Sequence, residues 1–278
     1  MRAPSRLLRY SAAVTALAAV AVLPGLVSSA QAATVRTPAQ VAPAAAKPTV
    51  VLVHGAFADA SGWNGVITRL ERDGYPVVAP ANPLRGLTSD SAYIASILAS
   101  VSGPIVLVGH SHGGAVISEA AAGNPNVKAL VYIAAFMPEV GEQVGNLNSM
   151  FPGSQLAAAL LPITVAGGGT DYRIDPAKFK QAFAGDLPTA TTKLMAIEQR
   201  PLSSAAFSDP ATAAAWHTIP SWFLVAKQDR SISPDLERFE ADRAHSHTTQ
   251  IDSSHVAMMS HPGISAQVIE DAATSTAG

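Results

Sequence analysis

From residue 48 onward, short runs that are apolar at every position alternate with stretches in which apolar residues recur at helical spacing. Residues 50–53 form a continuous apolar, mostly β-branched run; Trp63, Val66, Ile67 and Leu70 then recur at helical spacing until Gly74 stops the helix. The same reading predicts strands at 76–79, 105–108 and 129–134 and helices at 94–101 and 115–122. Continuously apolar runs suit strands covered on both faces, as in a mostly parallel sheet between helix layers. The pattern lapses over 139–219, where Gly, Pro and Ala dominate and no strand stands out. It resumes with a strand at 222–226, a helix from 234 to about 244, a strand near 248–251 and a last helix from 262. The chain therefore reads as one α/β domain over 48–278 whose sheet is interrupted by an insertion at about 139–219, far longer than an ordinary loop.

Ahead of that domain, Arg2, Arg6 and Arg9 precede an apolar run over 12–23, Pro24 and Gly25 break it, and Ala30-Gln31-Ala32 follows. This is the layout of a secretory signal peptide cleaved after Ala32. Residues 12–27 fall short of the ~20 apolar residues a spanning helix needs. The expectation is a protein secreted after loss of residues 1–32, with no stable membrane anchor and a flexible linker over 33–47. Removing the leader's three arginines from 18 basic residues leaves 15 against 20 acidic ones, a net charge of −5. That balance offers nothing to a phosphate backbone, so no nucleic-acid partner is expected. With no cysteine, the exported chain has to be held by its core alone.

Chemistry concentrates at Gly109-His110-Ser111-His112-Gly113, between a predicted strand and a predicted helix. Gly-x-Ser-x-Gly in that context is a nucleophile elbow: a sharp turn strains the serine backbone, and side chains two residues to either side would collide. A serine alcohol needs a general base, and the base needs an acid to fix its tautomer. In the chain order serine, acid, histidine, each just past a strand, Asp229 and His255 take the two places. Glu139 and Asp252 are the competing acids. Among the other histidines, His54 belongs to the first loop, His110 and His112 flank the serine and point away from its hydroxyl, His217 lies in the insertion, His245 and His247 sit near a helix end, and His261 precedes Pro262. The pairs His110/His112 and His245/His247 lack a third ligand at informative spacing, so neither a metal nor a cofactor is expected. The amides of His112 and of Ala56, in His54-Gly55-Ala56-Phe57, are the expected oxyanion donors.

The stretch from residue 49 to the last helix resembles the α/β-hydrolase superfamily. Val51-Leu52-Val53-His54-Gly55-Ala56, Val108-Gly109-His110-Ser111-His112-Gly113-Gly114 and Ala134-Ala135-Phe136-Met137-Pro138 are similar to the plant methylesterase and hydroxynitrile lyase group and its bacterial esterase relatives. The resemblance implies an α/β-hydrolase fold, Ser111, Asp229 and His255 as triad, Ala56 and His112 as oxyanion donors, and a helical cap at about 139–219 over an acyl pocket. The group commonly carries Leu or Met where this chain has His112. Lyase members are similar in placing Lys after the histidine and Thr in the first loop; here Val256 and Gly55 stand there.

The leading expectation is a secreted carboxylic-ester hydrolase that works through an acyl-enzyme on Ser111 and takes small-molecule esters. A low-turnover ligand-binding protein of the same fold, or a cofactor-free perhydrolase or C–C hydrolase, is the alternative. Of the insertion's large apolar residues, Phe151, Leu156, Leu160, Leu161, Phe179, Phe183 and Leu187, several are expected to face the serine.

Overall fold

The computed structural model describes Ala21 and residues 46–275; the rest of the predicted leader and nearly all of the predicted linker lie outside the described residues. Strands β1 (Thr49–Val53), β2 (Val77–Val78), β3 (Ile105–Ser111) and β4 (Val127–Ala135) precede the insertion. Helices α1 (Asn64–Arg72), α2 (Leu87–Ala99) and α3 (His112–Ala120) alternate with them. The insertion holds α4 (Val144–Met150), α5 (Leu156–Ala159), β5 (Leu160–Thr164), β6 (Thr170–Ile174), α6 (Phe179–Phe183), α7 (Thr189–Glu198), β7 (Leu202–Ser203) and α8 (Ala205–Ser208). After it come β8 (Ser221–Ala226), α9 (Pro234–Arg243), β9 (His247–Ile251), α10 (Ala257–Ser260) and α11 (Pro262–Ser275).

The main sheet runs β2-β1-β3-β4-β8-β9, and every neighbouring pair is parallel. Period-two alternation splits its apolar side chains between two cores. Val50, Leu52, Val106, Val108, Val131 and Leu224 pack with Leu70 of α1 and Ile269 of α11 on one face. Val51, Val53, Leu107, Leu130, Tyr132 and Phe223 pack with Ile94, Val116 and Leu236 of α2, α3 and α9 on the other. Both faces are covered, which is why these strands read as unbroken apolar runs.

Element edges differ from the sequence reading where polar residues hide a pattern. Helix α2 starts at Leu87 rather than 94, because Leu87, Asp90, Ser91, Ile94 and Leu98 share one buried face and three of the five are apolar. Strand β3 continues to Ser111, since Gly109, His110 and Ser111 still pair with Tyr132, Ile133 and Ala135. The insertion, expected to show no strand, carries a three-stranded antiparallel sheet, β5-β6-β7, beside its helices. Gly167-Gly168-Gly169 forms the tip of its first hairpin, and Pro162 is accommodated because β5 is an edge strand.

Candidate functional site

The strand-to-helix turn places Ser111 at φ 54° and ψ −127°, a conformation that costs an L residue roughly 1–3 kcal/mol. Its neighbours account for the glycines. A Cβ on Gly109 would lie 2.6 Å from the Gly113 carbonyl oxygen, and one on Gly113 would lie 2.6 Å from the Val53 carbonyl oxygen. A Cβ on Gly55 would strike the Ser111 Cβ at 2.6 Å, so the first loop is pressed against the elbow. His112 opens α3, and a first-turn amide has no acceptor within its own helix. Ala56 is buried in the adjoining loop, next to Phe57, whose φ is 60°.

Asp229 follows β8 in a turn that its own side chain closes. Its Oδ1 accepts the amides of Ser231 at 2.6 Å and Ile232 at 3.0 Å, and its Oδ2 lies 2.5 Å from His255 Nδ1. Both side chains are buried. The loops carrying them are laced together by Lys227 N–H to Ile251 O at 2.9 Å and Gln228 N–H to Ser253 O at 3.0 Å. His255 is in turn tied to the elbow: His110 Nε2 lies 3.0 Å from the His255 carbonyl oxygen, and the two rings sit 4.7 Å apart. A carbonyl only accepts, so His110 Nε2 carries the hydrogen. Burial, then the nearby His255, holds the His110 imidazole well below its usual range, so it stays neutral. The structure thus brings Asp229 and His255 into contact and ties His255 to His110, the residue before Ser111.

The remaining candidates are engaged elsewhere. Glu139 lies 2.7 Å from His217 Nε2, and Asp252 pairs with Lys227 on the surface at 3.0 Å. His54 Nε2 accepts the Asn82 amide at 2.9 Å, so its Nδ1–H donates to Gly55 O at 2.9 Å, and the ring shapes the first loop. Burial lowers its proton affinity. The His112 ring turns to α2, with Nε2 3.4 Å from Asp90 Oδ2, leaving only its amide on the serine side. Among the described residues no group of three His, Cys, Asp or Glu side chains is gathered as a metal site.

The insertion lies over the histidine. Phe183 packs 4.9 Å from the His255 ring and 6.3 Å from Phe57, and it shares one apolar cluster with Leu156, Phe179 and Leu187. Leu160 packs against that cluster. Phe151 does not join them; it packs against Phe239 of α9, with the ring centroids 5.6 Å apart and the planes tilted by 45°. A cavity of about 410 Å³ lies among Leu156, Leu160, Tyr172 and Phe207. A more polar groove of about 770 Å³ reaches Asp229 past Gln155, Lys180, Phe183 and Asp186. Ser111 lines neither and is 6% exposed.

Sequence reasoning missed Asp186. Its Oδ2 accepts the Ser254 amide at 3.0 Å and the Ser253 hydroxyl at 3.2 Å, and the Ser254 hydroxyl also donates to it. Burial opposes its charge, but these donors hold its carboxyl below the usual range. It ties the insertion to the two residues before His255. No local pattern marks a lone Asp between Gly185 and Leu187 as such a link.

Comparisons with known proteins agree with this fold. The chain is 25% identical over 248 residues to probable hydrolase R7 of Phoma sp., covering 82% of this chain and 98% of that protein. It is 26% identical over 222 residues to esterase PIR7B of Oryza sativa subsp. japonica, covering 69% and 82%. The fold is similar to that of the crystal structure of polyneuridine aldehyde esterase, with a TM-score of 0.70 at 18% identity over 81% of this chain and 98% of that one. The profile of the alpha/beta hydrolase family matches residues 50–268, and the chain belongs to that family.

Proposed function

We propose that the protein is a secreted serine carboxylic-ester hydrolase with Ser111 as nucleophile, His255 as general base and Asp229 as its orienting acid. The observation that carries the reading is the buried 2.5 Å contact of Asp229 Oδ2 with His255 Nδ1, fastened through His110 to the strained turn at Ser111. With Nδ1–H held by Asp229, His255 Nε2 is free to take the Ser111 proton as Oγ attacks an ester carbonyl. The tetrahedral oxyanion is held by the Ala56 and His112 amides, helped by the positive end of α3. Collapse breaks the ester C–O bond, and the alcohol leaves with the proton from His255. Water, deprotonated by the same imidazole, then releases the acid from Ser111. The name of the rice relative, an esterase, supports an ester substrate, and the apolar residues around Phe183 support an acyl chain in preference to a charged group.

A serine-directed phosphonate tests this reading. Stoichiometric labelling at Ser111, with parallel loss of p-nitrophenyl acetate hydrolysis, is expected. Labelling elsewhere, or turnover that survives full labelling, overturns it. Export is proposed on the leader alone: the protein in the culture medium should begin near Ala33 by intact mass, and retention of residues 1–32 in a membrane fraction would argue for an anchor.

A further inference from the structure

The sheet-facing side of α9 carries two carboxyls one turn apart, Glu237 and Glu240, both 0% exposed. An amphipathic surface helix ordinarily places apolar residues there, as Leu236 and Ala241 do beside them. Glu237 Oε2 accepts the amide of Ala226, the last residue of β8, at 2.9 Å. The Ala226 carbonyl accepts the Asp229 amide at 3.0 Å, so Glu237 sits directly under the loop that presents Asp229. Its second oxygen, Oε1, is sealed from solvent and receives no N–H or O–H among the described residues.

The buried carboxyls of Glu237 and Asp229 are brought together through Ala226, whose amide donates to Glu237 and whose carbonyl accepts from the Asp229 amide. Two carboxyls buried this close favour one shared proton, because two anions repel where no water screens them. Three N–H groups, from Ser231, Ile232 and His255, already point at Asp229. The proton therefore belongs to Glu237, whose only charge-favouring partner in that count is the Ala226 amide. Burial, then the charge of Asp229, lifts the Glu237 carboxyl well above the usual range, with Glu240 adding in the same direction.

We propose that Glu237 is a positioning residue for the acid of this site: its protonated carboxyl donates from Oε1 to Asp229, holds that carboxylate against His255 and moderates its pull on the histidine's proton. The inference rests on the reading of Asp229 and His255 as acid and base. It extends the contact of His255 with Asp229 one carboxyl deeper into the core, to α9.

The test compares Glu237→Gln and Glu237→Leu in the full-length protein, with p-nitrophenyl acetate as substrate. Gln keeps a donor toward Asp229 and an acceptor for Ala226; Leu keeps neither. The acid limb of the kcat/KM profile should stay in place for Gln. For Leu it should move to higher pH by roughly half a unit, because a carboxylate with one fewer donor holds the imidazolium proton more tightly. Difference infrared spectroscopy of wild type against Gln at pH 7 should show the C=O stretch of a protonated carboxyl. A Gln profile displaced to lower pH by about one unit, as expected if a negative charge had been removed, overturns the proposal. So does absence of the infrared band, or a folded Leu variant with an unmoved limb. If Leu does not fold, the Gln profile and the band decide. The parent reading fails separately: an active Asp229→Asn variant would sink it, whereas a crippled one alongside a bandless spectrum sinks only the role of Glu237.

Discussion

Beneath His255, the turn from β3 to α3 admits no side chain at positions 109 and 113, and Asp229 and His255 are fixed by four short polar contacts. Above it, the insertion reaches the same ring with Phe183 and fills the space behind with Leu156, Phe179 and Leu187. One side is specified by hydrogen-bond direction and backbone collision, the other by apolar volume. Directional contacts fail outright when one atom is wrong. Apolar contacts lose in proportion to the volume removed and tolerate exchange. Substitutions on the lower side should therefore abolish turnover with little loss of fold, and those on the upper side should trade stability and substrate fit by degrees.

The sharpest break between the two would come from the lower side. Ser111→Ala should cut kcat by about 10⁴–10⁶ and Asp229→Asn by about 10⁴, both with circular dichroism and melting behaviour near wild type. The Asn amide favours the wrong histidine tautomer while leaving the shape of the turn intact. Residual activity within tenfold of wild type for Ser111→Ala, or a mild Asp229→Asn beside a crippled Glu139→Gln, would reverse the assignment.

Within the upper side, two phenylalanines separate packing from surface cover. Phe183→Ala empties a fully packed position against Phe57, Phe179 and His255 and should cost about 3–5 kcal/mol by denaturant titration. Phe151→Ala loses a pair with the partly exposed Phe239 and should cost only about 0.5–1.5 kcal/mol. The acyl-chain preference should move with Phe183 and not with Phe151. Equal costs would mean that the insertion is one uniform core layer.

Rising pH probes the carboxyls under the lower side. Burial, offset in part by the Met137 amide and Arg243 and reinforced by Glu142, pushes Glu240 up to about 8. A carboxyl raised on folding contributes stability that is complete below its unfolded value of 4.5 and is lost as pH rises through about 8. The melting temperature should therefore fall from about pH 4.5 to about 8 and level off above it, and Glu240→Gln should flatten that fall. Glu237 shifts in the same direction, so the slope should shrink without vanishing. An unchanged slope in Glu240→Gln would place the loss elsewhere.

The same contrast explains what could be read in the sequence. Ser111 and its glycines were legible because local backbone sterics dictate residue identity at fixed spacing. Asp229 and His255 were legible because parallel strands deliver their ends to one edge of the sheet. The order of the core elements followed from strands buried on both faces. The small sheet in the insertion was not visible: Pro162 interrupts β5, and Asp171 and Arg173 interrupt β6. Asp186, Glu237 and the bond from His110 to His255 were also hidden, since each joins partners distant in sequence without a local rule. The partner of the His112 ring beside Ser111 was hidden as well, since the ring faces Asp90 of α2.

The smallest effect is expected where the two sides are joined by charge. The Arg85 guanidinium, following Leu84 on the sheet side, reaches Asp171 of β6 at 2.9 and 3.0 Å and the Pro201 carbonyl at 3.1 Å. The Arg85 side chain is 46% exposed, so solvent screens the pair, and Arg85→Ala should cost no more than about 1 kcal/mol. Its value lies in position, because it pins the hairpin of β5 and β6 to the loop before α2, whereas Asp186 pins α6 to the histidine loop. Loosening the hairpin should change how an ester is seated under the insertion and leave the contact of His255 with Asp229 undisturbed. The expected signature is a KM raised a few-fold at low and high salt alike, with kcat within twofold of wild type. A kcat loss of tenfold or more would show that the upper side also orders the reacting groups, and the division between directional and volume-filling halves would then have to be redrawn through Arg85.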